Sequence, residues 1–124
     1  EESGGNLAKA RKLLKQRGKQ LALKKGAREV GEGIVAVYMH PTGKTAAMID
    51  LRCETDFVAR SEDFKNLSHE LALQVASMDP ESMEELLSQP YIRDPCKTIQ
   101  DLISESIAKL GENIMIKRFS RFEI

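Results

Sequence analysis

A chain of 124 residues holds about one domain, and a 41% hydrophobic share lets it build a core unaided. Cys53 and Cys96 make no disulfide framework, no Cys/His cluster offers zinc four ligands, and the longest apolar run, Ile34 to Met39, falls far short of the roughly 20 residues that span a bilayer. These features predict a soluble protein of a reducing compartment, and the balance of nineteen basic against nineteen acidic residues hides an uneven distribution along the chain.

Nine basic residues and no acidic one lie between Leu7 and Arg28, whereas thirteen acidic and five basic residues lie between Asp50 and Glu105. Within the basic stretch, Leu7, Ala10, Leu14 and Leu21 mark one narrow helical stripe, which Gly18 interrupts or ends. From Glu32 the pattern changes to the β-rich run Gly33 to Met39, closed by the turn residues His40, Pro41, Thr42, Gly43 and Lys44. Ala47, Ile49, Leu51 and Cys53 then alternate with Met48, Asp50 and Arg52, as in a half-buried strand. Helical spacing returns in Phe64, Leu67, Leu71, Val75 and Met78, with Ser61 as N-cap, Glu62 and Asp63 in the first turn, and Asp79 and Pro80 at the end. Pro80 opens a short helix carrying Met83, Leu86 and Leu87, which Pro90 stops. Asp94 and Pro95 repeat the start signal for a third helix with Ile99, Leu102, Ile103, Ser106 and Leu110 inside and Gly111 as C-terminal cap. Ile114, Ile116, Phe122 and Ile124 occupy alternate positions interrupted by Arg118 and Ser120, which fits a closing strand with a bulge. The sum is an α+β domain: a three-stranded antiparallel sheet with helices packed on one face, preceded by a basic N-terminal helical arm.

Chemistry-bearing residues are sparse. His40 sits in a predicted turn and His69 within a helix, neither in a nucleophile motif, and no GxxxxGK[ST] phosphate loop is present. Cys53 reads best as a small inward-facing strand residue. The segment Cys53 to Arg60, at a strand-to-helix junction, leaves two readings open: Asp56 and Phe57 project together as an anion beside an aromatic wedge, or they are a cap followed by a core phenylalanine.

That octet, CETDFVAR, resembles the signature of the elongation factor Ts family, the guanine-nucleotide exchange factors of elongation factor Tu. The likeness continues in order through LALQVAS (Leu71 to Ser77), IRDPCKT (Ile92 to Thr98) and AKLGENIMIKRFSRFEI (Ala108 to Ile124). Lys24 to Glu29, ahead of Glu32 and Gly33, resemble the family's linker, and residues 1–18 resemble the last part of its small N-terminal helical domain. Arg52 stands where the family commonly has Asn, and Ala46 with Ala47 replaces a Val-Gly or similar pair. The chain looks like a short-form factor without most of its N-terminal domain and without a second core half after Ile124.

The resemblance implies that residues 1–30 are the end of the helical domain and a basic linker, and residues 31–124 a core domain of the dimerisation type. It implies partner binding by Thr55, Asp56, Phe57 and Val58, with Phe57 entering between partner helices and Asp56 perturbing the region that holds the partner's magnesium. No covalent step is involved, so neither catalytic residues nor a cofactor or metal of its own is expected. Expected partners are elongation factor Tu and a second copy of the chain through the C-terminal strand, roughly Ile114 to Ile124, with no membrane and no direct nucleic acid. The setting is a bacterial cytoplasm or an organelle. For the dimer there is also a reason in the residues: a strand bearing Phe119 and Phe122 at a sheet edge can pair with another chain, unless Lys117, Arg118 and Arg121 guard it. Two rival functions remain, an RNA-binding module gripping phosphate with the basic arm and a cysteine enzyme using Cys53. Six aromatics in all and no RNP-like strand weigh against the first.

Overall fold

The computed structural model describes residues 28–124. Of the expected arm and linker, residues 1–27 with the Leu7 to Leu21 stripe therefore lie outside the described residues.

Strand β1 (Glu32–Met39) and strand β2 (Thr45–Cys53) form the expected hairpin. Its turn is closed by hydrogen bonds from His40 N to Thr45 O and from Gly43 N to His40 O, both 2.8 Å, with Gly43 supplying the positive φ of 73°. The final strand, β5 (Met115–Glu123), pairs with β2 on its other side, so the antiparallel sheet runs β1-β2-β5. Period-two alternation sends Ala47, Ile49, Leu51 and Cys53 inward, where all four are buried. Helices cover that face alone, as the alternation of β2 requires.

A one-turn helix, α1 (Asp56–Ala59), leads into the long α2 (Glu62–Met78). Ser61 caps α2 by accepting from Phe64 N at 3.3 Å, and Asp79 ends it in the left-handed conformation with φ 47°. The stripe Phe64, Leu67, Leu71 and Val75 is buried against the sheet, each such side chain contributing roughly 1.5–3 kcal/mol. Helix α3 (Met83–Ser88) starts later than Pro80 would place it, because Ser82 takes the cap and accepts from Glu85 N at 3.1 Å.

Two further expectations are corrected. Asp94 and Pro95 do not begin a helix: Asp94–Thr98 is strand β4, paired with the two-residue strand β3 (Pro90–Tyr91) in a separate small sheet. Helix α4 (Ile99–Leu110) begins only after Thr98, which forms a capping box with Asp101. Thr98 Oγ1 accepts from Asp101 N at 3.1 Å while an Asp101 oxygen accepts from Thr98 N at 3.0 Å, a reciprocal pair that outcompetes the Asp-Pro signal upstream. Buried Gln74 of α2 anchors β3 by donating to Pro90 O and accepting from Ile92 N, both at 3.1 Å.

The second correction concerns β5. Asp50 faces Arg118 but Leu51 faces Ile116, which leaves Lys117 as the extra residue of a bulge. One inserted residue reverses every later side chain. Ile116 is buried inward, Phe119 opposite Ile49 is partly buried, and Phe122 turns outward with 71% of its surface exposed instead of sharing the inner side with Ile114 and Ile116. The uncovered face of the sheet accordingly carries Val35, Val37, Met39, Met48 and Phe122, all exposed.

Candidate functional site

The junction between β2 and α2 holds the most exposed aromatic side chain among the described residues, Phe57. Thr55 is the N-cap of α1, with extended backbone, and its Oγ1 accepts from Val58 N at 3.3 Å. Backbone bonds from Ala59 N to Thr55 O and from Arg60 N to Asp56 O, both 3.1 Å, complete the turn. Val58 and Ala59 are buried and fasten the turn to the core, whereas Thr55, Asp56 and Phe57 lie at the surface. Phe57 is 81% exposed, more than any large hydrophobic residue of the sheet proper. The reading of a cap followed by a core phenylalanine is therefore set aside: the cap is Thr55, and the core phenylalanine is Phe64.

Asp56 projects beside Phe57, in an ion pair with Arg60 one turn on, Nε to Oδ2 at 3.0 Å. Both partners are largely exposed, so water screens the pair and it contributes little to stability.

A second segment, the turn between α4 and β5, braces this loop. Gly111 leaves α4 in the left-handed region at φ 78° and delivers Glu112 to the loop. Glu112 Oε1 accepts from the backbone N–H groups of Glu54 at 3.1 Å and Thr55 at 3.0 Å, and Oε2 accepts from the Thr55 hydroxyl at 2.7 Å. In return, the Glu54 carboxylate accepts from Asn113 N. Asn113 Nδ2 donates to Arg28 O at 2.9 Å, and the Arg28 guanidinium lies 3.6 Å from Glu54 Oε1. Sequence reasoning singled out neither Glu112 nor Asn113 as site residues, although both fall in the matched stretch from Ala108. The available signal was Gly111, since a residue following a left-handed helix cap is thrown clear of the helix axis.

Cys53 has the inward-facing strand position expected of it and is fully buried. Its Sγ donates to Thr55 O at 3.2 Å, and burial, then the negative charge of Glu112, push the thiol up to about 11. A buried thiol held in its protonated form is a poor nucleophile near neutral pH, which weighs against the cysteine-enzyme alternative. His40 donates or accepts within its own turn, its Nδ1 2.9 Å from Thr42 Oγ1, and His69 packs edge-on against Tyr38 with ring centroids 6.3 Å apart. No group of three or more metal-ligating side chains occurs among the described residues, and no described helix is long and apolar enough to cross a membrane.

Fold and site together define an α+β domain with a braced surface loop that exposes one aromatic next to one carboxylate. The family model described as Elongation factor TS matches residues 54–124, from the brace residue Glu54 to Ile124 just after β5. Proteins named Elongation factor Ts from Coprothermobacter proteolyticus, Rubrobacter xylanophilus and Leptospira biflexa are 39%, 34% and 37% identical to the chain. Each match covers 100% of the chain and 85–87% of the relative. The chain belongs to the elongation factor Ts family, and its role is that of a translation elongation factor.

Proposed function

We propose that this chain is a guanine-nucleotide exchange factor that docks the loop Thr55 to Val58 beside the nucleotide site of elongation factor Tu and so promotes GDP release. The observation that carries this reading is Phe57: a large aromatic kept 81% exposed on a braced turn costs solvation and gains nothing within the monomer. In this reading Phe57 enters between partner helices, Val58 anchors the turn from below, and Asp56 perturbs the region that holds the partner's magnesium. Exchange then needs no covalent chemistry. If the factor binds the nucleotide-free partner more tightly than the GDP-bound one, linkage requires GDP and the factor to weaken each other by the same ratio. Loss of a magnesium contact removes much of the electrostatic hold on the diphosphate. The bacterial relatives support a cytoplasmic site of action.

Asp56→Asn tests the electrostatic half of this mechanism, because it keeps the shape and removes the charge. The variant is expected to lower the maximal acceleration of GDP release by about fivefold, equivalent to about 1 kcal/mol, with a flatter dependence on magnesium concentration. A magnesium profile identical to that of the parent chain removes Asp56 from this role.

The same reading includes a homodimer through β5 and the adjoining open face of the sheet. Its support is the exposed row Val35, Val37, Met39, Met48 and Phe122 beside an edge strand. Of the three cations able to guard that edge, Arg118 is drawn onto Asp50 at 3.3 Å, and Arg121 onto Glu123 at 2.8 Å and Asp79 at 3.5 Å. Light scattering over a concentration series is expected to give a dimer that reductant leaves intact, and Phe122→Asp is expected to shift it to monomer. A monomeric mass at every concentration defeats the dimer while leaving the docking loop untouched.

A further inference from the structure

We infer that Glu112, 57 residues away from Thr55 in sequence, is a positioning residue that holds the docking loop in its binding conformation. The inference rests on the loop reading above and goes beyond it by naming what keeps the loop in place. A four-residue helix has little stability of its own, since the first turn fixes several dihedrals in return for a single hydrogen bond. Something outside the turn must hold it, and the structure offers one carboxylate for three donors. Glu112 Oε1 receives the Glu54 and Thr55 N–H groups, which lie just before α1 and are within no ladder or helix bond of their own element.

Its other oxygen acts on the cap. A threonine hydroxyl has one proton and two lone pairs. The Thr55 proton is committed to Glu112 Oε2 at 2.7 Å, which turns a lone pair toward Val58 N and holds Thr55 in the capping rotamer. Phe57 is the second residue of the turn so capped, and its direction of projection follows from that cap. The brace is reciprocal, because Glu54 accepts from Asn113 N, so the two segments share a closed ring of charge-assisted bonds. The hydrogen bonds of Glu112 go to Glu54 and Thr55, so it acts on docking through Thr55.

A braced loop binds without the cost of being ordered, whereas a loose one bears that cost on docking but reaches the same bound geometry. Glu112→Ala in the 124-residue chain is therefore expected to raise the half-saturating concentration for release of fluorescent GDP from elongation factor Tu by about tenfold, the scale of one lost charge-assisted hydrogen bond. The rate at saturation is expected to stay within about twofold. Glu112→Gln keeps an amide oxygen for the two backbone donors but turns an NH2 toward the Thr55 hydroxyl, and is expected to recover only the part of the affinity that the two backbone bonds carry. Amide exchange at Glu54 and Thr55 is expected to accelerate in Glu112→Ala while Ile49 and Leu71 keep their protection, a pattern that general destabilisation does not produce.

Phe57→Ala separates this inference from the reading beneath it. In a Phe57→Ala background, Glu112→Ala is expected to have little further effect on the half-saturating concentration, because the side chain it positions is gone. An equally large effect in that background, or an unchanged half-saturating concentration in Glu112→Ala alone, overturns the positioning role while an impaired Phe57→Ala leaves the loop reading standing. Normal exchange by Phe57→Ala overturns both.

Discussion

Phe57→Ala is expected to cut the acceleration of GDP release about thirtyfold at subsaturating factor while leaving the thermal midpoint of the isolated chain within a degree or two. The size follows from aromatic hot spots, which commonly contribute about 2 kcal/mol or more when they fill a pocket on the partner. The unchanged midpoint follows from position. With 81% of its surface in solvent, Phe57 has almost no buried area to lose, and the cap Thr55 and the anchors Val58 and Ala59 remain. Phe57→Leu keeps an apolar branch of smaller reach and is expected to fall between the two. A stopped-flow measurement of exchange, paired with a melting curve for each variant, separates the outcomes. A large fall in midpoint with normal activity per folded molecule shows that Phe57 serves the fold and not an interface.

The largest stability effect is expected at Gly33. Here β1 passes so close to β2 that a Cβ would lie 2.1 Å from the Leu51 carbonyl oxygen and 2.8 Å from Arg52 Cα, and both obstacles are backbone. The glycine also has φ +156°, which an L side chain rarely adopts. Gly33→Ala must push the strands apart at the position where Gly33 pairs with Arg52, next to the Ile34 and Leu51 pair of the core face. Overpacking and backbone strain together amount to about 3 kcal/mol or more. For a domain of this size that corresponds to a fall in thermal midpoint of more than about 10 °C. Gly31 provides the control, since nothing lies within 4 Å of its Cβ position and its φ is ordinary. Gly31→Ala is expected to melt within about 2 °C of the parent chain by the same scaling. Equal midpoints for the two alanine variants contradict the close approach.

Local signals made most of the sheet and the long helix legible. The alternation from Ala47 to Cys53 has one buried face because β2 is the central strand with helices on one side only. Ser61, Asp79 and Gly111 act at the helix ends as their chemistry suggests. What escaped depends on pairing between distant segments. Pro90–Tyr91 and Asp94–Thr98 are too short to show a period, and they form strands because each satisfies the other and buried Gln74 holds them. The bulge at Lys117 was foreseeable as an interruption, yet its consequence for Phe122 follows only once the register with β2 is known. At the loop, the resemblance picked out Thr55 to Val58, but it did not distinguish the outward Phe57 from the buried Val58. Gly111 marks Glu112 as leaving the helix, but no pattern in a single sequence links its carboxylate to amides 57 and 58 residues away.

Release of fluorescent GDP from purified elongation factor Tu, followed in stopped flow with and without the 124-residue chain, tests the proposed exchange most directly. Acceleration that rises with the concentration of the chain and saturates is the predicted result, with Phe57→Ala shifted as above. A release rate that stays at its spontaneous value while the chain is seen to bind contradicts the proposal that this protein exchanges nucleotide through its Thr55 to Val58 loop.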